Sequence, residues 1–164
     1  MTSITTCLWF NGEAEAAAKL YTSLIPDSRI DRVVRAPADN PSTKEGEVLT
    51  VDFTLGGQRL TGLNGGPEFR FSEAISLVIE CEDQAEVDRL WTSLILGGGE
   101  PSKCGWLKDR FGLSWQIVPR QMNEMLAGPD REGAKRAMEA MLQMDKLDLA
   151  RLQAAYDGVP VGSR

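Results

Sequence analysis

Few side chains in this sequence have the chemistry for a reaction: the carboxylates Asp52 and Glu73, the thiol Cys104, and the neutral amides Asn64 and Gln116. Histidine is absent from the 164 residues. That removes the usual general base, the commonest soft-metal ligand and any Ser-His or Cys-His nucleophile pair. Asp52 would serve as a base only if burial raised its pKa; the ordinary reading is a solvated or hydrogen-bonded strand aspartate. Cys104 precedes Gly105 and Trp106, with Lys103 and Lys108 near in sequence to favour a thiolate. Its ordinary reading is a small buried hydrophobe. What these residues suit best is recognition, with Asn64 and Gln116 as neutral hydrogen-bond partners, Ser76 beside them and Trp9 as an apolar wall.

The elements that would position them come as a repeat. Leu20–Ile25 reads Leu-Tyr-Thr-Ser-Leu-Ile and returns as Leu90–Ile95, Leu-Trp-Thr-Ser-Leu-Ile. An apolar run precedes each copy, at Cys7–Phe10 and Leu77–Ile79, and an acidic residue opens each intervening segment, at Glu13 and Asp83. The chain is therefore read as two copies of one strand-then-helix unit.

In the first copy, Ile4, Leu8 and Phe10 alternate with Thr5, Cys7 and Trp9 as a strand, and Asn11 is the expected cap of a helix up to Pro26. Strands follow at Arg29–Arg35 and Leu49–Leu55, the second turning through Gly56-Gly57 into Gln58–Leu63. In the second copy, Ile75, Leu77 and Ile79 form a strand, Asp83–Leu96 a helix, and Cys104–Leu107 with Leu113–Pro119 a hairpin. Three helices are expected beyond it, the last two capped by Asp130 (through Met144) and Asp148 (through Tyr156). Ala134, Ala137, Met138, Met141 and Leu142 share one face of the first capped helix.

The expected fold is α+β, with two βαβββ-type modules, the second read as one strand short, forming a curved mixed sheet, plus C-terminal helices. The divisions are a first module at 1–67, a second at 73–119, a helical segment at 120–158 and a frayed tail at 159–164.

Sorted by strand face, Ile4, Leu8, Phe10, Leu49, Val51, Phe53, Ile75, Leu77, Ile79, Leu113, Trp115 and Ile117 fall on the helix side. The other face collects Thr5, Cys7, Trp9, Thr50, Asp52, Ala74, Ser76, Ser114 and Gln116, too polar for a dry core and suited to a wetted cleft. Trp9 is the preferred pocket wall over Trp106 and Trp115.

Composition limits the partners. The net charge is −6, from 18 basic and 24 acidic residues, and basic residues do not cluster, which argues against nucleic acid. No apolar run has the length to cross a bilayer, and Met1–Thr6 lacks the pattern of a signal peptide. Cys7, Cys81 and Cys104 are an odd number without C-x-x-C spacing, which fits free thiols in a reducing, cytoplasmic compartment.

Several stretches together carry a family likeness. Asn64-Gly65-Gly66-Pro67, Cys104-Gly105-Trp106-Leu107-Lys108-Asp109 and Phe111-Gly112-Leu113-Ser114-Trp115-Gln116-Ile117-Val118-Pro119, with the paired modules, resemble the PhnB-like branch of the vicinal oxygen chelate superfamily. The likeness is read over nearly the whole chain, C-terminal helices included. It implies a homodimer and a small molecule held in a concave cleft lined by Trp9, Asp52, Asn64, Ser76, Cys104 and Gln116.

Superfamily enzymes hold a divalent metal on two His and two Glu. Carried over by strand register, those positions fall near Thr5 or Thr6, Thr61 or Gly62, Ala74, and Gln116, so no metal and no cofactor is expected. Many relatives carry a demethylubiquinone methyltransferase label. Here no glycine-rich loop follows a first strand to receive S-adenosylmethionine, and Gly65-Gly66 reads as a turn. The alternatives are a metal-independent or altered-site enzyme acting through Asp52, Glu73 or Cys104, a drug-sequestering resistance protein, or a purely structural or regulatory protein.

Overall fold

A computed structural model describes residues 2–159. The element order is β1 (Thr6–Phe10), α1 (Ala14–Leu24), β2 (Arg29–Arg35), β3 (Val48–Leu55), β4 (Gln58–Asn64), β5 (Ser76–Cys81), α2 (Gln84–Ile95), β6 (Glu100–Pro101), β7 (Trp106–Lys108), β8 (Ser114–Pro119), α3 (Arg120–Ala127), α4 (Arg131–Met141) and α5 (Leu149–Asp157). The chain divides between Phe71 and Ser72 into two compact units.

Each unit contains one four-stranded mixed sheet of the same topology, β1-β4-β3-β2 in the first and β5-β8-β7-β6 in the second. In both, the opening strand lies parallel to the last strand of the unit, and the others pair antiparallel. The second unit is not short of a strand: its second strand, at the sheet edge, is kept as β6, reduced to two residues against Lys108 and Leu107.

In the first unit α1 buries Ala14, Ala17, Ala18 and Tyr21 beside Leu8, Phe10, Val51, Phe53 and Leu60. Burial of this apolar surface is the main term holding helix to sheet. In the second, α2 contributes Val87, Leu90 and Leu94, with Leu107, Leu113, Trp115 and Ile117 buried in the same unit. The repeated six residues are therefore seated differently. Tyr21 is fully buried while Leu20 and Leu24 are half-buried, whereas Leu90 and Leu94 are buried and Trp91 is half-buried. The alanines of α1 let the helix sit close on the Tyr21 side; α2 has Val87 and Asp88 where α1 has Ala17 and Ala18.

Several expectations need correction. Ile4 and Ile75 precede their strands and are 96% and 68% exposed, because neither has a paired neighbour to carry it onto the helix side. Asn11 does not cap α1: Glu13 is the N-cap residue and makes no side-chain cap. The caps expected at Asp130 and Asp148 do form, and Asp83 caps α2 in the same way, each carboxylate accepting the amide three residues on at 2.9–3.0 Å. Helix α4 ends at Met141, and its apolar face is narrower than the periodicity suggested. Ala134 and Ala137 are buried, while Met138 and Leu142 remain 47% and 54% exposed.

The last three helices gather around Val118, Met122, Met125, Ala137, Met144, Leu147 and Leu152. Of the frayed tail expected at 159–164, Val159 is exposed and 160–164 lie outside the described residues.

Candidate functional site

Strand alternation gives each sheet a helix-covered face and a helix-free face. In the first unit the helix-free face carries one rung of Cys7, Thr61, Asp52 and Arg32 and a second of Trp9, Leu63, Thr50 and Val34. Asp52 is fully engaged there. Its Oδ1 accepts the Thr61 hydroxyl at 2.8 Å, and its Oδ2 accepts Arg32 Nη2 at 2.7 Å and Nε at 3.0 Å. The Thr61 hydrogen bond, then the Arg32 contact and the charge of Arg59, hold its carboxyl below the ordinary range. A general base needs the opposite shift, so the base role raised for Asp52 is withdrawn.

Trp9 is half-buried and held by its own unit. Its indole N–H donates to the Gly66 carbonyl at 2.9 Å, and Phe69 meets its ring edge-on at 4.9 Å. A Cβ on Gly65 would lie 2.3 Å from the indole carbons, so the glycine exists to admit the ring. Gly66, at φ +94°, completes the turn in the left-handed region. The Gly65-Gly66 surface is thus covered by tryptophan and is no cradle for a nucleoside cofactor, so the S-adenosylmethionine that the methyltransferase label implies finds no fit at this turn.

Asn64 does not face the cleft side. It pairs with Phe10, putting it on the opposite face from Trp9, and is 4% exposed. Its Oδ1 accepts the Ala14 amide at 2.9 Å and its Nδ2 donates to the Val48 carbonyl at 2.8 Å. This residue, not Asn11, satisfies the first amide of α1. The sequence could not reveal a cap delivered from fifty residues away.

In the second unit the helix-free face has two rungs. Ser76, Ser114 and Lys108 form one; Val78, Gln116 and Trp106 form the other. Gln116 Nε2 donates diagonally to Ser76 Oγ at 2.9 Å, which turns the Gln116 carbonyl into the group available for a ligand donor. Ser114 is 1% exposed, and its hydroxyl is buried with no hydrogen-bond partner among the described residues. Trp106 is half-buried and Val78 is 56% exposed. Alternation along Leu113–Pro119 already put Ser114 on the face of Gln116, so the signal was legible although the residue was not singled out.

Cys104 lies apart from this pair, in the turn before β7 with φ +58°. Its amide donates to the Met144 carbonyl at 2.8 Å. The two lysines invoked to activate it are occupied, Lys103 by Asp145 and Lys108 by Glu73, each at 2.7 Å. Glu73 in turn is held below its usual pKa by the Lys108 hydrogen bond. Of the other thiols, burial pushes Cys81 up to about 12.

A second structured feature was not foreseen. Asp109 is 2% exposed; its Oδ2 accepts the Trp115 indole N–H at 2.8 Å, and its Oδ1 accepts the amides of Phe111 at 2.8 Å and Leu113 at 3.1 Å. The Asp-x-Phe-Gly-Leu-x-Trp run is therefore a folding motif that fixes the entry to β8.

The superfamily metal does not fit these residues. The positions carried over hold hydroxyl, methyl and neutral amide groups. Thr61 donates its hydroxyl hydrogen bond to Asp52, Gln116 is tied to Ser76, and Asp52 and Glu73 are each paired with a cation. Among the described residues no three His, Cys, Asp or Glu side chains gather. Among the described residues no helix is long and apolar enough to cross a membrane.

Comparison with known proteins agrees with this architecture. The family model described as 3-demethylubiquinone-9 3-methyltransferase matches residues 2–118. A solved structure from Bacillus cereus, described as a putative 3-demethylubiquinone-9 3-methyltransferase, PhnB protein, is 35% identical, with 72% of this chain covering 99% of that one at a TM-score of 0.64. A Pseudomonas aeruginosa protein is 19% identical, with coverage of 73% and 98% and a TM-score of 0.58. The fosfomycin resistance protein FosX of Mesorhizobium loti is 13% identical, with coverage of 77% and 98% and a TM-score of 0.52; the likeness to these two is one of fold. No curated protein matches the chain. The family model ends at Val118, so the C-terminal helices, first read as part of the likeness, stand outside it. By the family model and the 35% identity over nearly all of its Bacillus relative, the chain belongs to the family described as 3-demethylubiquinone-9 3-methyltransferase, the PhnB-like branch of the vicinal oxygen chelate superfamily.

Proposed function

We propose that this protein binds a small, neutral, hydrogen-bonding molecule on the helix-free face of its second unit, without the superfamily's metal. The observation that carries the reading is the buried hydroxyl of Ser114, which lacks a partner among the described residues and lies beside the Gln116–Ser76 pair. A buried polar atom left unpaired costs about 1–3 kcal/mol, and such atoms are rare unless a ligand or water completes them. Trp106 and Val78 supply an apolar surface on the neighbouring rung. Lys108, the cation of this face, is already shared between Glu73 and Glu100, at 2.7 and 3.8 Å, which favours a neutral ligand over an anion. Ser76, Ser114 and Gln116 would orient the ligand, while Trp9 and Asp52 are held within the first unit, by Gly66 and by Arg32 and Thr61. Cys104 is proposed as a structural thiol and not as a ligand contact.

The test is saturation-transfer NMR with a library of neutral aromatic amides and lactams. Hits lost on Gln116→Ala and on Ser114→Ala, with both variants folded, support the reading, and hits indifferent to both overturn it. Equilibration with Mg, Mn, Fe(II), Ni and Zn ions should leave no ion near one per chain. One tightly held ion would overturn the metal-free part. We further read the protein as a cytoplasmic homodimer, with Met138 of α4 and Leu142 just past its end as exposed apolar residues suited to the contact; a monomer by light scattering at micromolar concentration counts against the dimer.

A further inference from the structure

A separate cleft of 410 Å³ opens within the first unit, lined by Gly12, Glu15, Arg35, Ser42, Thr43, Glu47, Val48 and Asn64. It is distinct from the helix-free face: Asn64 belongs to the helix-covered side, and the other walls come from the start of α1, the ends of β2 and β3, and the loop 36–47. Its size lies within the range of small-molecule pockets, about 300–1,000 Å³.

The rim is built and not merely exposed. Loop 36–47 has no helix or strand, yet it is closed at its base by Ala36 N–H to the Glu47 carbonyl at 2.8 Å and Gly46 N–H to the Ala36 carbonyl at 2.9 Å. Asn40 Oδ1 accepts Ser42 N, Ser42 Oγ and Thr43 N at 3.0–3.1 Å, while Asn40 Nδ2 donates to Thr43 Oγ1 at 2.6 Å. Long structureless loops held in one shape are commonly functional, and ordering before binding lowers its entropic cost. Gly12 leaves open space, since a Cβ there would meet nothing within 4 Å.

The charges lining the cleft are of both signs. Arg35 uses Nη1 on the Gly46 carbonyl at 2.9 Å, and a guanidinium has five N–H donors in all, two of which can face a carboxylate in parallel. Glu47 accepts the Lys44 amide through Oε2 at 2.7 Å, and Glu15 pairs with Lys19 through Oε1 at 2.7 Å; each carboxylate has a second oxygen for a further donor. A dianion would meet two carboxylates, and a simple amine would leave Arg35 without a new partner. A molecule with one carboxylate and one ammonium on a short skeleton matches both.

We propose that this cleft binds a small zwitterion of the amino-acid class, its carboxylate on Arg35, its ammonium toward Glu47 and Glu15, and its side chain along Val48. Ser42 and Thr43 supply neutral hydrogen bonds at the rim. This inference does not rest on the neutral-ligand reading of the second unit.

The test is isothermal titration calorimetry of the full chain with the common L-amino acids, each hit repeated as its N-acetyl derivative and as its amide. At least one amino acid should bind, and both derivatives should bind at least tenfold more weakly. Arg35→Gln and Glu47→Gln should each weaken binding tenfold or more with circular dichroism unchanged, the glutamine at 47 still able to accept the Lys44 amide. Ser114→Ala should leave it unchanged, which separates this site from the other. Absence of binding by every amino acid, equal binding of either derivative, or indifference to both substitutions would overturn the proposal.

Discussion

Gly105→Ala probes the junction where the C-terminal segment meets the proposed site. Gly105 has φ +83°, and an added methyl would lie 2.8 Å from the Ile117 carbonyl oxygen, 2.9 Å from Leu147 Cδ1 and 3.1 Å from Leu147 Cγ. The left-handed backbone costs a residue with a Cβ about 1–2 kcal/mol. Overpacking of a filled interior adds about 1–3 kcal/mol. Neither neighbour yields freely. Ile117 donates its amide back to the Gly105 carbonyl at 2.8 Å, Gly105 donates to the Asp145 carbonyl at 2.8 Å, and Leu147 is fully buried.

The expected loss is about 2–5 kcal/mol, read as a lower urea midpoint followed by tryptophan fluorescence. Leu147→Ala, which itself removes a buried leucine at about 2–5 kcal/mol, takes away one of the two obstacles. In that background Gly105→Ala should cost at least about 1 kcal/mol less, because contacting residues couple. A loss below about 0.5 kcal/mol, or the same loss in both backgrounds, refutes the reasoning. Since Trp106 and Gln116 flank this junction in sequence and pair across β7 and β8, the variant should also weaken any ligand held on that face.

Asp109→Ala strips the acceptor from Trp115 and two loop amides, each worth about 1–3 kcal/mol when left buried and unpaired, so a loss above about 3 kcal/mol and a changed near-ultraviolet signal are expected; retention of both would show that the motif is not structural. Gly65→Ala has ordinary φ, so its cost of about 1–3 kcal/mol comes only from driving the Trp9 ring away; unchanged Trp9 fluorescence in a single-tryptophan background would contradict this. For Asp52, a folded pKa below its unfolded value of about 3.9 means the stabilisation is present above about pH 4 and is lost as pH falls through the lower folded value. Asp52→Asn should therefore lower the melting temperature at pH 7, with the gap to wild type closing toward pH 2; a gap that widens in acid would reverse the assignment.

Local patterning determined much of this protein. Alternation is a property of neighbouring residues, so β2, β3, β4 and β8 and their turns were legible, as were the caps at Asp130 and Asp148, whose acceptor and amide lie three residues apart. The absence of histidine restricts the chemistry whatever the fold. The two-residue β6 was not legible, because two residues have no periodicity to read.

The roles of particular polar side chains were decided only by tertiary structure. Whether Asp52 is a base or an ion-pair partner depends on Arg32, twenty residues away, and on Thr61 across the sheet. Whether Asn64 meets a ligand or caps a helix depends on α1 arriving beneath it. The orphaned hydroxyl of Ser114 and the walls of the Arg35 cleft are likewise properties of three-dimensional neighbours. Hydrogen bonds and ion pairs act over a few ångströms of space regardless of sequence separation, and so only the folded chain assigns them.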